Sequence, residues 1–331
     1  MRGKLVSPTI KIDRQAFERA LAVAQQRAGL PTPLPWPSNL HLLETTPSTN
    51  ALLWQHLREG AGEGTVAIAA QQTAGRGQWG RSWVSPIGGL YFSVALAPHC
   101  LAKESAQLTM AVGWGIANEL RRWQVPVQLK WPNDLVLAGR KLGGILTETR
   151  VRQDAIHQAV VGVGINWANS PPEPGIALQT FLQEEREMEL AATDGSSASA
   201  FPISDSPGSS PGSIESLEQL AAIALTGIFS GYRLWQTEGI GTLLPAYTQL
   251  LINLGHRLHI QGKSGTIVGV SEQGNLLVRC ETGLQASQRG TNAEPLIWDI
   301  QVKPGEIQLG YPVGESVSME SAKTLAKDSP D

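Results

Sequence analysis

The sequence predicts an α+β protein that ends in a small all-β unit. Three observations carry this. Residues 105–123 place Leu108, Val112, Ile116 and Leu120 four apart, on one face of a helix. The runs "TVAIAA" at 65–70 and "AVVGVGINW" at 159–167 read as short buried strands. From Arg257, "RLHIQGKSGTIVGVSEQGNLLVRCETGLQASQ" strings several short strands between glycine turns, enough for a small barrel.

The elements follow in order. "DRQAFERALAVAQQRA" (13–28) is a helix: Asp13 caps it, and Phe17, Leu21 and Ala24 keep helical spacing. Four prolines between Pro31 and Pro37 make a linker, so residues 1–38 form an N-terminal helix and linker, with the catalytic region after them. "NLHLLETT" (39–46) is a strand. "STNALLWQHLREG" opens a helix with three N-cap residue types, Ser48, Thr49 and Asn50, ahead of Leu52, Leu53 and Leu57. "GGLYFSVAL" (88–96) alternates as a strand, and residues 127–150 read as two strands about a turn at Gly139. Residues 183–213 are expected to be a disordered insertion, since "SSASAFPISDSPGSSPGS" carries too little apolar surface to order itself. Helices resume over 214–238 and 241–254. The catalytic region thus runs over 39–254, a C-terminal unit over 255–310 and a loose tail over 311–331.

Bulk composition narrows the class. Of 331 residues, 41% are hydrophobic and 17% charged, enough for a packed core. A net charge of -3 argues against a general nucleic-acid binder. Two cysteines, Cys100 and Cys280, are too few for a disulfide framework or a Cys-rich zinc site. No apolar run of roughly 18 residues and no signal-like N-terminus occurs, so a cytoplasmic protein without membrane contact is expected.

"GRGQWGR" (Gly75–Arg81) formally matches G-x-G-x-x-G. A dinucleotide-binding turn needs a helix directly after it. Here Pro86, Gly88, Gly89 and strand alternation follow instead. Close-set glycines can also turn backbone N–H groups into an anion nest. Arg76 and Arg81 add forked donors suited to carboxylate or phosphate, and Trp79 and Trp83 could cover a planar group. A solvated turn accounts for the composition equally well. Further on, "KWPND" sets Lys130, Asn133 and Asp134 around Pro132, and "GRKLGGIL" sets Lys141 beside Gly143 and Gly144. Each lysine alone reads as a strand end. Two lysines, two arginines and these glycines together suggest a site for a carboxylate and phosphates.

The segments "PSTN", "QQTAGRGQWGRSW", "GGLYFSVAL", "KWPNDLVLAGRKLGGILTE" and "VVGVGINW" occur in an order and spacing that resembles the biotin–protein ligases, strongly over about residues 40–168. The resemblance implies a mixed sheet with flanking helices, of the class II synthetase-like kind, and an SH3-like C-terminal barrel. It implies ATP with Mg²⁺, activation of biotin as biotinyl-5′-AMP, and transfer to a lysine of the biotin carboxyl carrier protein of acetyl-CoA carboxylase. By motif, Ser48, Thr49, Asn50, Gln72, Arg76, Gly77, Gln78 and Lys141 should contact biotin. Gly75, Arg81, Lys130, Asn133, Asp134 and Asn166 should contact the nucleotide, with Gly164 and Ile165 close by. Arg76, Lys130 and Lys141 should carry the catalysis. No dedicated metal site is expected.

Two departures stand out. Many relatives carry arginine where this chain has Gln78, which should loosen retention of the adenylate. Regulatory members begin with a winged helix-turn-helix, which the residues before 39 do not show, so a ligase that does not bind nucleic acid is expected. The same-fold alternative, a lipoate or octanoate enzyme, usually shows an RRxSGGGxVxHD-like element absent here. A non-catalytic biotinyl-AMP-binding regulator is the other alternative. Exposed strand edges leave a homodimer open.

Overall fold

A computed structural model describes residues 12–30, 37–194, 214–260, 263–281 and 297–311. In chain order the elements are α1 (Arg14–Arg27), β1 (Asn39–Thr46), α2 (Thr49–Arg58), β2 (Thr65–Gln72), β3 (Leu90–Leu96), β4 (Cys100–Leu101) and α3 (Ser105–Arg122). They continue with β5 (Gln128–Lys130), β6 (Asp134–Leu137), β7 (Arg140–Arg152), β8 (Ala155–Ile165), α4 (Leu178–Asp194), α5 (Leu217–Glu238) and α6 (Ile240–Gln249). Strands β9 (Arg257–Ile260), β10 (Lys263–Val270), β11 (Leu276–Glu281) and β12 (Ile297–Val302) follow.

The main sheet has the order β1-β2-β3-β8-β7-β6-β5, with β4 added beside β8. It is mixed: β1 and β2 run parallel, and the other pairs are antiparallel. Strand alternation splits its side chains between two faces. Leu90, Phe92, Val94, Val161, Val163 and Ile165 point into the large core shared with α1, α3 and α5. Ala67, Ala95 and Val160 point the other way, against Leu53 and Leu57 of α2. The functional cavity lies on the α2 side.

The helical layer is built as its pattern predicts. Leu108, Val112, Ile116 and Leu120 of α3 are fully buried, each stabilising by about 1.5–3 kcal/mol over exposure. α3 and α5 cross in close contact because glycines meet there. A Cβ at Gly115 would lie 2.0 Å from the Gly227 carbonyl oxygen. Asp13 caps α1 by accepting from the Ala16 amide at 2.8 Å.

Three expectations need correction. Residues 127–150 form three strands, because Pro132 breaks the first run and "KWPND" becomes the turn of a hairpin in which Lys130 pairs with Asp134. The insertion begins later than 183: α4 continues through Asp194, since "QEEREMELAA" is rich in helix formers. Residues 195–213 lie outside the described ones. The tail is not loose from 311 on, as Tyr311 is packed into the cavity described below; 312–331 lie outside the described residues. The C-terminal unit is a four-stranded antiparallel sheet, β12-β11-β10-β9. This is consistent with an SH3-like module, with no closed barrel among the described residues. Among those residues no helix is long and apolar enough to cross a membrane.

Candidate active site

A cavity of about 260 Å³ opens on the α2 side of the main sheet. Its floor comes from Gly144 and Leu146 of β7 and Gly162 and Gly164 of β8. These positions share one face by strand alternation, and three of the four are glycine. Physical reasons are visible. A Cβ at Gly162 would lie 2.2 Å from Asn50 Oδ1, and one at Gly164 would lie 2.3 Å from Trp83 Nε1. "GVGI" is thus a strand whose bulky residues feed the core and whose glycines make room for the site.

One wall is a hydrogen-bonded network at the start of α2. Ser48 is the N-cap, so helix capping and cavity lining coincide in one residue. The Thr49 amide donates to Gln72 Oε1 at 2.9 Å, and Gln72 Nε2 donates to Ser85 Oγ at 3.0 Å. Ser93 Oγ lies 2.7 Å from Thr49 Oγ1 and 2.6 Å from Asn50 Oδ1. Asn50 Nδ2 donates to Glu148 Oε2 at 3.0 Å, and Trp54 Nε1 donates to the same oxygen at 2.9 Å. Every amide and hydroxyl in this chain is oriented by a neighbour, so the wall presents fixed polar groups.

The glycine loop is a hairpin folded over the cavity. Gly77 N–H donates to the Arg81 carbonyl at 2.7 Å and Trp83 N–H to the Gly75 carbonyl at 2.9 Å. Trp79, at its tip, has φ of 54° and is 52% exposed. These amides are engaged inside the hairpin, so the anion chemistry rests on the arginines more than on a backbone nest. Arg76 Nη1 lies 3.5 Å from Glu148 Oε1, and the Arg81 guanidinium lies 5.2 Å from the Trp79 ring centroid. The strand after the loop, β3, pairs antiparallel with β2, which rules out the strand-to-helix turn of a dinucleotide fold. Gln78 lines the cavity, and its Oε1 is buried without a hydrogen-bond partner.

The opposite wall is a charge cluster. Asp134 Oδ1 lies 2.6 Å from Lys141 Nζ, and Asp134 Oδ2 lies 3.7 Å from Lys130 Nζ. The β5–β6 hairpin sets Lys130 beside Asp134, and a bulge in the β6–β7 pairing brings Lys141 opposite Val136. Lys130 is 6% exposed; burial lowers its pKa, Asp134 pulls it back up, and Lys141 and Arg81 lower it again. Asn133 lines the cavity while its Nδ2 donates to the Ile145 carbonyl at 2.7 Å.

The structure therefore gathers Ser48, Thr49, Asn50, Gln72, Arg76, Gly77, Gln78, Arg81, Lys130, Asn133, Asp134 and Lys141 around one cavity. Two expected residues stand behind it. Gly75 packs under Trp83, where a Cβ would lie 2.4 Å from the Trp83 carbonyl oxygen. Asn166 is buried, donates to the Lys141 carbonyl at 3.3 Å and is held by Asn169, so it braces the Lys141 strand rather than lining the cavity. Trp131 lines the cavity and is 3% exposed, with its indole donating to the Gly274 carbonyl at 2.8 Å. Sequence reasoning missed Ser93, Glu148 and Tyr311. Ser93 had a signal, as the polar residue inside the apolar run "LYFSVAL"; Tyr311 had none.

The model of the biotin/lipoate A/B protein ligase family matches residues 42–166. The chain is similar to the bifunctional ligase/repressor BirA of Escherichia coli, 30% identical over 244 residues, covering 72% of this chain and 68% of that one. BirA of Bacillus subtilis is 26% identical, covering 80% and 76%. Among solved structures, the biotin protein ligase from Aquifex aeolicus in complex with biotin and ATP aligns with a TM-score of 0.54 at 25% identity, over 79% of this chain and 95% of that one. The chain belongs to the biotin/lipoate protein ligase family, and within it to the biotin–protein ligases.

Proposed function

We propose that this chain joins biotin to ATP as biotinyl-5′-AMP and passes the biotinyl group to a lysine of a biotin carboxyl carrier protein. One observation carries the reading: a fixed hydrogen-bonded network and a two-lysine cluster line one cavity. The network of Ser48, Thr49, Asn50 and Gln72 suits the ureido head of biotin. Lys141 and Arg76 suit its carboxylate, and Lys130, Asn133, Asp134 and Arg81 the nucleotide.

Both reactants are anionic, so the protein's task is to bring them together and hold developing charge. A biotin carboxylate oxygen attacks the α-phosphorus and pyrophosphate leaves. The acceptor amine then attacks the biotin carbonyl carbon and AMP leaves. Lys130 offsets charge on the phosphates in the first step. Lys141 and Arg76 must exchange Asp134 and Glu148 for the ligand's oxygens. Among the described lining residues Asp134 is the one carboxylate, and both its oxygens face cations. No described cluster of three metal-ligating side chains exists. Magnesium is assigned to the substrate, as MgATP, where it keeps several of its waters.

The partner is a carrier domain, and the setting proposed is the cytoplasm. Nucleic acid is not among the proposed partners. The test is pyrophosphate release from ATP with biotin, against lipoate. Release with biotin and none with lipoate is expected. No turnover with biotin would overturn the reading.

A further inference from the structure

The chain after β12 returns across the main sheet. Ile307, Gln308, Leu309 and Tyr311 line the same cavity as the lysines. Leu309 is buried, and Gly305 packs under Trp79 of the glycine loop, where a Cβ would lie 3.0 Å from the indole nitrogen. This segment fixes Tyr311 in place. Its hydroxyl donates to Asp134 Oδ2, and the Lys130 ammonium lies 4.2 Å from the centroid of its ring.

We propose that Tyr311 is a positioning residue for the nucleotide: it occupies one oxygen of Asp134 and thereby keeps the Lys130 ammonium available to phosphate. The proposal rests on the adenylation reading above. Asp134 has two oxygens, and Lys141 Nζ takes the first at 2.6 Å. Were the second open, Lys130 would close on it as a hydrogen-bonded ion pair. That pair would have to break before a phosphate could bind. With the phenol on Oδ2, Lys130 stays 3.7 Å away, a longer ion pair than the 2.6 Å one of Lys141. A buried ammonium still needs compensation. The face of the Tyr311 ring supplies it without consuming any of the three N–H donors. Burial, with Asp134 nearby, raises the phenol pKa, so the group stays a proton donor at neutral pH. The segment thus couples the lysine cluster to the loop that folds over the cavity.

Two variants separate the parts. Tyr311→Phe keeps the ring and removes the hydroxyl; Tyr311→Ala removes both. In biotin-dependent ATP–pyrophosphate exchange, Tyr311→Phe should raise KM for ATP about tenfold, on the scale of a hydrogen bond to a charged group, and leave KM for biotin within about twofold. Tyr311→Ala should raise KM for ATP further. Calorimetry with a non-hydrolysable MgATP analogue should show the same weakening without turnover. An unchanged KM for ATP in Tyr311→Phe would overturn the proposal. So would equal rises for ATP and biotin, which mark a general loss of packing. A lower KM for ATP in Tyr311→Ala would make the residue a plug over the phosphate site, contrary to the proposal. A wild-type chain silent with biotin would sink the adenylation reading, while the calorimetric comparison would still decide Tyr311.

Discussion

At the scale of single residues, the account turns on two lysines whose surroundings differ. Lys130 is buried and its pKa is lowered chiefly for that reason. Its charged form is therefore less favoured in the folded chain than in the unfolded one. The unfolded state binds more protons between the lowered value and the ordinary 10.5, so Lys130 opposes folding at neutral pH and that cost fades as pH rises through this window. Function runs the other way, because phosphate needs the ammonium. The rate at limiting ATP should fall on an alkaline limb below 10.5, and Lys130→Arg should move that limb upward; a pH–rate profile of both proteins checks it. Gln78 is the other residue to test. Its Oε1 lacks a partner, and two cations lining the same cavity, Arg76 and Lys141, already face Glu148 and Asp134. Gln78→Arg should slow dissociation of biotinyl-AMP, measured by chase with unlabelled adenylate. An unchanged rate would show that the missing charge does not matter. The motif residues were legible because adjacent positions carried distinct chemistry. The partner of Arg76 was not, since Glu148 and Arg76 are brought together only by the fold.

At the scale of elements, β8 shows how one strand serves core and site together. Val161, Val163 and Ile165 enter the large core, while Gly162 and Gly164 leave space on the other face. Gly162→Ala should force Asn50 out of place, since the new Cβ would lie 2.2 Å from its Oδ1. The variant should fold and raise KM for biotin at least tenfold, about the cost of breaking a buried hydrogen bond, with KM for ATP nearly unchanged. Steady-state kinetics in each substrate separates the two. Strand and helix periods made most elements legible. The β5–β6 turn was not: the run before Gly139 reads as one strand, and only cross-strand pairing of Lys130 with Asp134 reveals the hairpin. The end of α4 was misjudged because polar helix formers resemble a disordered stretch when no partner helix is in view.

At the scale of the whole molecule, the C-terminal sheet shares one apolar core with the catalytic part, and polar contacts add to it. The turn between β10 and β11 accepts hydrogen bonds from Trp131 at the Gly274 carbonyl, 2.8 Å, and from Gln107 at the Glu272 carbonyl, 3.0 Å. Trp131→Phe leaves one buried carbonyl without its donor and should cost about 1–3 kcal/mol. A thermal melt should show a lower Tm. Because Trp131 also lines the cavity, the variant should weaken ATP binding as well. These contacts, like that of Tyr311, join residues far apart in the chain, and no local pattern signals them. The central claim is that one cavity performs adenylation through Lys130 and then releases its biotinyl group to a carrier lysine. Intact-mass measurement of a purified carrier domain, incubated with ATP, biotin and either wild type or Lys130→Ala, tests it most directly. Wild type should add one biotinyl group. Lys130→Ala should be slower by about a hundredfold or more, and supplying synthetic biotinyl-AMP should restore much of the transfer. Equal labelling by both proteins from ATP and biotin would contradict the account.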